Sequence, residues 1–179
     1  IVSRLVGHKG LDLIREVMEK SLWERDIQYV VLGSGEWQYE SFFRELHDKY
    51  PDKVGVTIGF IPDLARKIYA GADLFLMPSK CEPCGLSQRV ALRYGTVASV
   101  RETGGLKDSI TDSGDGEGNG FTFQTYDAYD MLGAIYRGVE AYNNKDYWPT
   151  LVERALNCDM SWGKSANEYI KMYKSLLKD

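Results

Sequence analysis

The segment Asp73-Leu74-Phe75-Leu76-Met77 decides the fold. Four consecutive apolar residues leave no polar position for a wet face, so the strand they form is predicted to lie in the centre of a parallel sheet, covered on both sides. Upstream, residues 64–70 read as a short helix and 54–58 as a strand. Residues 37–50 read as a polar helix with Phe42, Phe43 and Leu46 on one side, and 28–32 as an apolar run ending at Gly33-Ser34-Gly35. Residues 11–25 place Leu11, Ile14, Val17, Met18 and Leu22 at helical spacing, with Asp12, Arg15, Glu16, Glu19 and Lys20 opposite. Before this helix, residues 1–5 look like the end of a buried strand and 7–10 like a polar turn. Downstream come a helix over 86–94, a strand over 96–100 and a tight segment at Thr103-Gly104-Gly105-Leu106. Residues 111–119 offer no core residue and read as a mobile surface loop. Helices are predicted over 127–142, 147–157 and 162–177, the last with Ser161 as its N-cap.

Strands alternating with helices at this spacing predict an α/β fold: a doubly wound, Rossmann-like, mostly parallel sheet in a single domain over residues 1–179. Such sheets bind ligands outside the carboxyl ends of their strands. Here those ends lead into the loops at 7–10, 33–36, 60–63, 79–85 and 103–105, which hold most of the unusual residue combinations.

The 179 residues are 44% hydrophobic, enough for a sizeable core. Twenty-two Lys and Arg against 26 Asp and Glu give a net charge of -4, so no overall field draws in nucleic acid or an anionic membrane. No apolar run is long enough to span a bilayer, and no secretory leader stands at the start. A cytoplasmic protein with its three cysteines reduced is the expectation.

Lys9 stands between glycines ahead of a helix, where its ammonium and the helix N–H groups suit one anion. Arg4, five residues earlier, would reach the same opening, and such a pair fits a diphosphate. Taken alone, the two residues read more simply as a solvated lysine and a surface arginine. Gly33 and Gly35 form a turn near the site but lack the third glycine of a dinucleotide fingerprint. In Glu82-Pro83-Cys84-Gly85-Leu86-Ser87 a carboxylate, a fixed turn and a glycine precede a helix. The amides of Gly85, Leu86 and Ser87 would donate to a phosphate or sugar hydroxyl, and Glu82 would accept from a hydroxyl. Gly104 and Gly105 offer the same chemistry from the neighbouring strand. A capping carboxylate and a plain turn are the alternatives for Glu82 and for the glycine pair. Cys81 and Cys84 form a C-x-x-C, but zinc needs two more ligands, Cys158 is distant, and the histidines are only His8 and His47. No metal is expected. A redox pair is the other reading of this motif, but the strands and helices that precede it are unlike a thioredoxin-type layout and argue against it. His47 reads as solvated, and Tyr129, Tyr136, Tyr142, Tyr169 and Tyr173 as core or interface rather than a stacking platform.

Together, Ser3-Arg4-Leu5 to Lys9-Gly10, Gly33-Ser34-Gly35, Met77-Pro78-Ser79, Glu82-Pro83-Cys84-Gly85-Leu86-Ser87-Gln88, Tyr94-Gly95-Thr96, Thr103-Gly104-Gly105-Leu106 and Asp159-Met160-Ser161-Trp162 resemble, in order and spacing, the C-terminal half of bacterial glycogen synthases and plant starch synthases. The resemblance covers nearly the whole chain. It implies the glycosyltransferase-B architecture, with ADP-glucose held by this half and an α-1,4-glucan growing against an N-terminal acceptor-binding half that lies outside these residues. It also implies a retaining transfer that needs no metal or other cofactor, in the cytoplasm or, in a plant, the plastid. Arg4 and Lys9 then look like the pair that neutralises the distal phosphate as the leaving group departs. Glu82 looks like the carboxylate on the glucose hydroxyls, with the amides of Cys84 and Gly85 beside it. Leu86 and Ser87 look like donor-pocket residues, Thr103, Gly104 and Gly105 like the other wall, and Phe60 like the residue flanking adenine. Departures from the family pattern are His8 for Gln, Phe60 for Tyr, Lys80-Cys81 for Arg-Phe, and Arg89-Val90 for a more apolar or aromatic pair. The chain is expected to bind donor without completing transfer. The other readings are a UDP-glucose enzyme related to sucrose or trehalose-phosphate synthases, a non-catalytic nucleotide-binding module, and a module switched by Cys81 and Cys84.

Overall fold

In the computed structural model, which describes residues 1–114 and 116–177, β3 (Leu74–Met77) runs parallel to β4 (Val97–Arg101), and β4 parallel to β5 (Gly120–Phe123). A second parallel pair joins β1 (Tyr29–Gly33) to β2 (Val54–Ile58). Residues 1–5 continue the parallel pattern through the bridges Val2 to Leu32 and Leu5 to Gly35.

Side chains alternate across a strand, so β3 and β4 each feed two cores, while β5 feeds one. Leu76, Val97, Phe121 and Phe123 pack with Ile14, Val17 and Met18 of α1 (Leu11–Glu24) and with Met131, Leu132 and Ile135 of α6 (Ala128–Asn143). Phe75, Met77, Ala98 and Val100 pack with Ala91 and Leu92 of α4 (Ser87–Arg93), and with Leu106 of α5 (Gly104–Ser109). Helices therefore cover both faces, as the apolar run at 74–77 requires. Each fully buried Leu, Ile or Phe here contributes about 1.5–3 kcal/mol. The remaining helices are α2 (Trp37–Lys49), α3 (Pro62–Gly71), α7 (Trp148–Leu156) and α8 (Trp162–Leu176). Pro62 opens α3 in the first turn, where a missing N–H has no consequence.

Several elements differ from the sequence expectation. The tight segment at 103–106 is the start of α5, and β5 was not legible at all, because a four-residue strand beginning with glycine carries little periodicity. The 111–119 segment is tied down rather than free. Asn119 Nδ2 donates to the Ser109 carbonyl, Asp112 bridges to Gly120, and Ser113 is buried; Asp115 lies outside the described residues. His47 is not solvated: its Nδ1 lies 2.6 Å from the Val54 carbonyl oxygen. Ser161 holds the N-cap position of α8 without a side-chain bond. The described residues of α8 are exposed throughout, Trp162 at 87%, so Tyr169 and Tyr173 belong to no core. Tyr129 is exposed as well, whereas Tyr136 is half-buried and donates to Glu24.

Asp112 ties the end of α5 to β5 and α6. Its Oδ2 accepts from the Thr122 N–H at 2.6 Å and from Arg137 Nη2 at 2.7 Å, and its Oδ1 accepts from the Gly114 N–H at 2.8 Å. Burial raises this carboxyl's pKa, but the Thr122 and Gly114 N–H bonds and the Arg137 charge outweigh burial and hold it below the ordinary value. A carboxyl lowered on folding stabilises the fold fully above about pH 4 and loses that contribution as pH falls through the lowered pKa. Asp112→Asn is expected to lose about 1–3 kcal/mol at neutral pH in urea unfolding. It should also show a shallower loss of stability below pH 4 than the unsubstituted chain.

Candidate functional site

The site begins at the 3-10 turn Gly7–Lys9 and Gly10, which adopts φ 76°. A Cβ on Gly10 would stand 2.1 Å from the Pro78 carbonyl oxygen, so only glycine lets the exit of β3 lie across this turn. The Lys80 N–H then donates to the His8 carbonyl at 2.9 Å. The two loops are thereby joined, and Lys9 meets Glu82: Nζ stands 2.5 Å from Oε2, with only 14% and 13% of the two side chains exposed. Ser79, fully buried, donates to the same Oε2 at 3.1 Å. At such burial the pair holds together because each charge answers the other's desolvation.

Arg101, at the end of β4, fixes the start of the loop, donating through Nε to the Ser79 carbonyl at 3.1 Å and through Nη2 to the Lys80 carbonyl at 2.5 Å. Gln88, fully buried on α4, fixes its end. Its Nε2 donates to the Gly85 carbonyl at 2.9 Å and to Ser109 Oγ at 3.1 Å, while Ser109 donates to the Gly105 carbonyl at 2.6 Å. Among the described residues Gln88 Oε1 is buried without a partner. The α5 start presses against the same loop: a Cβ on Gly105 would lie 1.7 Å from the Cys84 carbonyl oxygen, and one on Gly104 2.3 Å from that of Glu82.

Neither α1, α4 nor α5 carries a side-chain cap. First-turn N–H groups have no partner inside a helix, so α1 and α4 present donors beside the Lys9–Glu82 pair. Gly105 is different. Its N–H donates to the Glu82 and Pro83 carbonyls at 3.0 and 3.2 Å, so it shapes the wall and is not available to a ligand. Thr103 precedes it in extended conformation, accepting from the Leu106 N–H.

The remaining expected residues fall at the same end of the sheet. Gly33 and Gly35 let the backbone of residues 3–5 pass: added Cβ atoms would stand 1.9 Å from the Ser3 oxygen and 2.3 Å from the Leu5 oxygen. Arg4 is exposed and lies 3.5 Å from His8 Nε2, not against Glu82. Phe60 follows β2 with its ring 91% exposed, and Leu86 is exposed beside the half-buried Ser87. A separate cavity of about 450 Å³ lies between α4, α5 and α8, lined by Arg89, Asp108, Lys164 and Tyr169, and shares no residue with this set. Among the described residues no cluster of three His, Cys, Asp or Glu side chains is placed to hold a metal.

Residues 1–147 match the family model of Glycosyl transferases group 1. The chain belongs to this family. It is 52% identical to the glycogen synthase of Bacillus cereus (strain ATCC 10987 / NRS 248), over 99% of this chain and 38% of that protein. It is 51% identical to that of Geobacillus stearothermophilus, over 99% of this chain and 37% of the relative. The chain thus spans under two fifths of these relatives. Among solved structures, the catalytic domain of Starch Synthase IV from Arabidopsis thaliana, bound to ADP and acarbose, superposes with a TM-score of 0.86 at 38% identity, over 97% of this chain and 37% of that one. TarM, 19% identical with a TM-score of 0.76, shares the fold.

For this member of the family the expected α/β class and the likeness to glycogen and starch synthases both hold. Sequence reasoning missed Ser79 and Arg101, and it quoted Gln88 without a role. Ser79 and Gln88 act on Glu82 and on the Gly85 carbonyl from three residues away and Arg101 on backbone 21 and 22 positions back, and only the end-of-strand placement of Arg101 gave any signal. Gln88→Leu keeps the volume but strands the Gly85 carbonyl, and should lower stability by about 1–3 kcal/mol in urea unfolding. Backbone amide signals of Gly85 and Gly105 should move in the same variant without any ligand.

Proposed function

We propose that this chain is the donor-binding domain of a glycogen or starch synthase, taking ADP-glucose and, with an N-terminal portion outside these residues, transferring glucose with retention to the non-reducing end of an α-1,4-glucan. The observation that carries this reading is the Lys9–Glu82 pair set between glycine loops at the carboxyl ends of parallel strands. A nucleoside diphosphate sugar offers two groups that fit it. The diphosphate suits Lys9, the uncapped helix starts and, from outside, Arg4. The sugar hydroxyls suit Glu82, an acceptor already fixed by Ser79.

As the glycosidic bond breaks, negative charge grows on the leaving phosphate, and a positioned ammonium with helix N–H donors stabilises it without rearranging. This step uses no metal. Phe60 presents a free ring face for the base, and Leu86 an apolar wall. Transfer further requires water to be excluded and the acceptor aligned, which an open face leaves to the rest of the enzyme; the chain alone is inactive in this reading. The identity to bacterial glycogen synthases and the ADP-bound starch synthase neighbour support the same assignment, and a cytoplasmic setting is part of this reading.

An NMR titration with ADP and then UDP tests it. Amide shifts should cluster at Lys9, Gly85, Leu86, Ser87 and Gly104, should be larger for ADP, and should weaken about tenfold or more in Lys9→Ala, the loss of one charged hydrogen bond. Equal or larger shifts with UDP would assign a uridine donor instead, and none at millimolar nucleotide would remove the reading.

A further inference from the structure

Cys81 and Cys84 bracket Glu82, both thiols are free and exposed, and nothing in donor binding uses either sulfur. The third cysteine, Cys158, stands apart, half-buried, with its Sγ 3.0 Å from Asn119 Nδ2. The stretch carrying the pair is held at both ends. On one side the Lys80 N–H is bonded to the His8 carbonyl and the Lys80 carbonyl to Arg101. On the other, the Gly85 carbonyl is bonded to Gln88, and Gly105 packs against the Cys84 carbonyl. Cys81, Glu82 and Pro83 lie between these anchors, the carbonyls of Glu82 and Pro83 sharing the Gly105 N–H as their one backbone tether, and the chain bends at Pro83 and Cys84.

A disulfide brings two Cβ atoms to about 3.5–4.5 Å with an S–S torsion near 90°. Closing that ring around Glu82 and Pro83, with both anchors fixed, forces the rotation onto the Cys81–Pro83 backbone and so onto the Glu82 side chain. We propose that Cys81 and Cys84 are a dithiol modification site, oxidised reversibly by low-molecular-weight disulfides, and that ring closure draws the Glu82 carboxylate off Lys9. The consequence for donor affinity rests on the function proposed above. Chemically, one thiol loses its proton and attacks the small disulfide, expelling one thiol and leaving a mixed disulfide. The second cysteine then loses its proton and displaces the other small thiol. Two protein thiols are oxidised to one disulfide, and one small disulfide is reduced to two thiols.

The test equilibrates the chain in glutathione buffers of stepped reduced-to-oxidised ratio, quenches with acid, alkylates, and reads intact mass and peptide map alongside the amide spectrum. The expected result is a transition to a species lighter by two hydrogens, mapped to Cys81–Cys84, with Cys158 still alkylated and the Lys9 and Glu82 amides displaced. Oxidation should weaken ADP-glucose binding about ten- to hundredfold, the loss of charged hydrogen bonds at Glu82. Cys81→Ser should keep the reduced chain's affinity and lose this response, and Cys158→Ser should retain it. Glutathione adducts on separate thiols with no internal disulfide, or a disulfide that leaves the Lys9 and Glu82 amides unmoved, would overturn the proposal. If the reduced chain takes up no ADP-glucose, the donor reading fails, while mass and amide shifts still decide the switch.

Discussion

Burial of both faces of β3 and β4 is the constraint on which the rest depends. With Leu76 and Val97 feeding one core and Phe75, Met77, Ala98 and Val100 the other, these strands offer no solvent-facing polar surface before their carboxyl ends. Polar chemistry is confined to where the strands end, so Ser79, Lys80, Glu82 and Arg101 all gather at the carboxyl edge. The same double burial demands helices on both sides. Three of them, α1, α4 and α5, start at that edge: α1 and α4 bring uncapped first-turn N–H groups to the same place as the charges, while the Gly105 N–H of α5 holds the loop that carries Glu82.

Close approach of backbones turns this edge into a site. Gly10 against Pro78 and Gly105 against Cys84 are contacts that a single methyl group would prevent. They bring loops from three different strand–helix units within hydrogen-bond distance, and the ion pair joins residues 73 positions apart. Gly105 contributes through the carbonyls its N–H holds, although its type and position also suit an anion-facing amide. Glycine at such a turn has two physical meanings, and only coordinates separate them.

What was legible in the sequence follows from this physics. Long periodic or uniformly apolar segments, such as 11–25 and 74–77, declared their structure, because the same residues that form the element also bury it. Residues Lys9, Glu82, Gly85 and Gly104 were legible as a group through motif order. Illegible were elements whose stability comes from elsewhere. β5 exists because β4 and α6 cover it, and the 111–119 segment is held by the side chains of Asn119 and Asp112 rather than by any core residue of its own. Gln88 and Arg101 were silent for the same reason, since their partners are backbone carbonyls that no residue code records. The apolar spacing of α8 declared a helix but not what it packs on, and among the described residues it buries none of its own.

The Lys9–Glu82 pair also carries a consequence for selectivity. Within the site each charge already answers the other, so an anion arriving at Lys9 competes with Glu82, and a hydroxyl arriving at Glu82 competes with Lys9. A ligand with only one of the two groups leaves the other charge half-buried and alone, which opposes its binding. A ligand carrying both, at the right separation, satisfies both at once. The pair thus acts as a logical conjunction written in charge: the two halves of a ligand assist each other, and by reciprocity each raises the affinity for its counterpart. A ligand offering only the anion or only the hydroxyl is disfavoured relative to one that offers both.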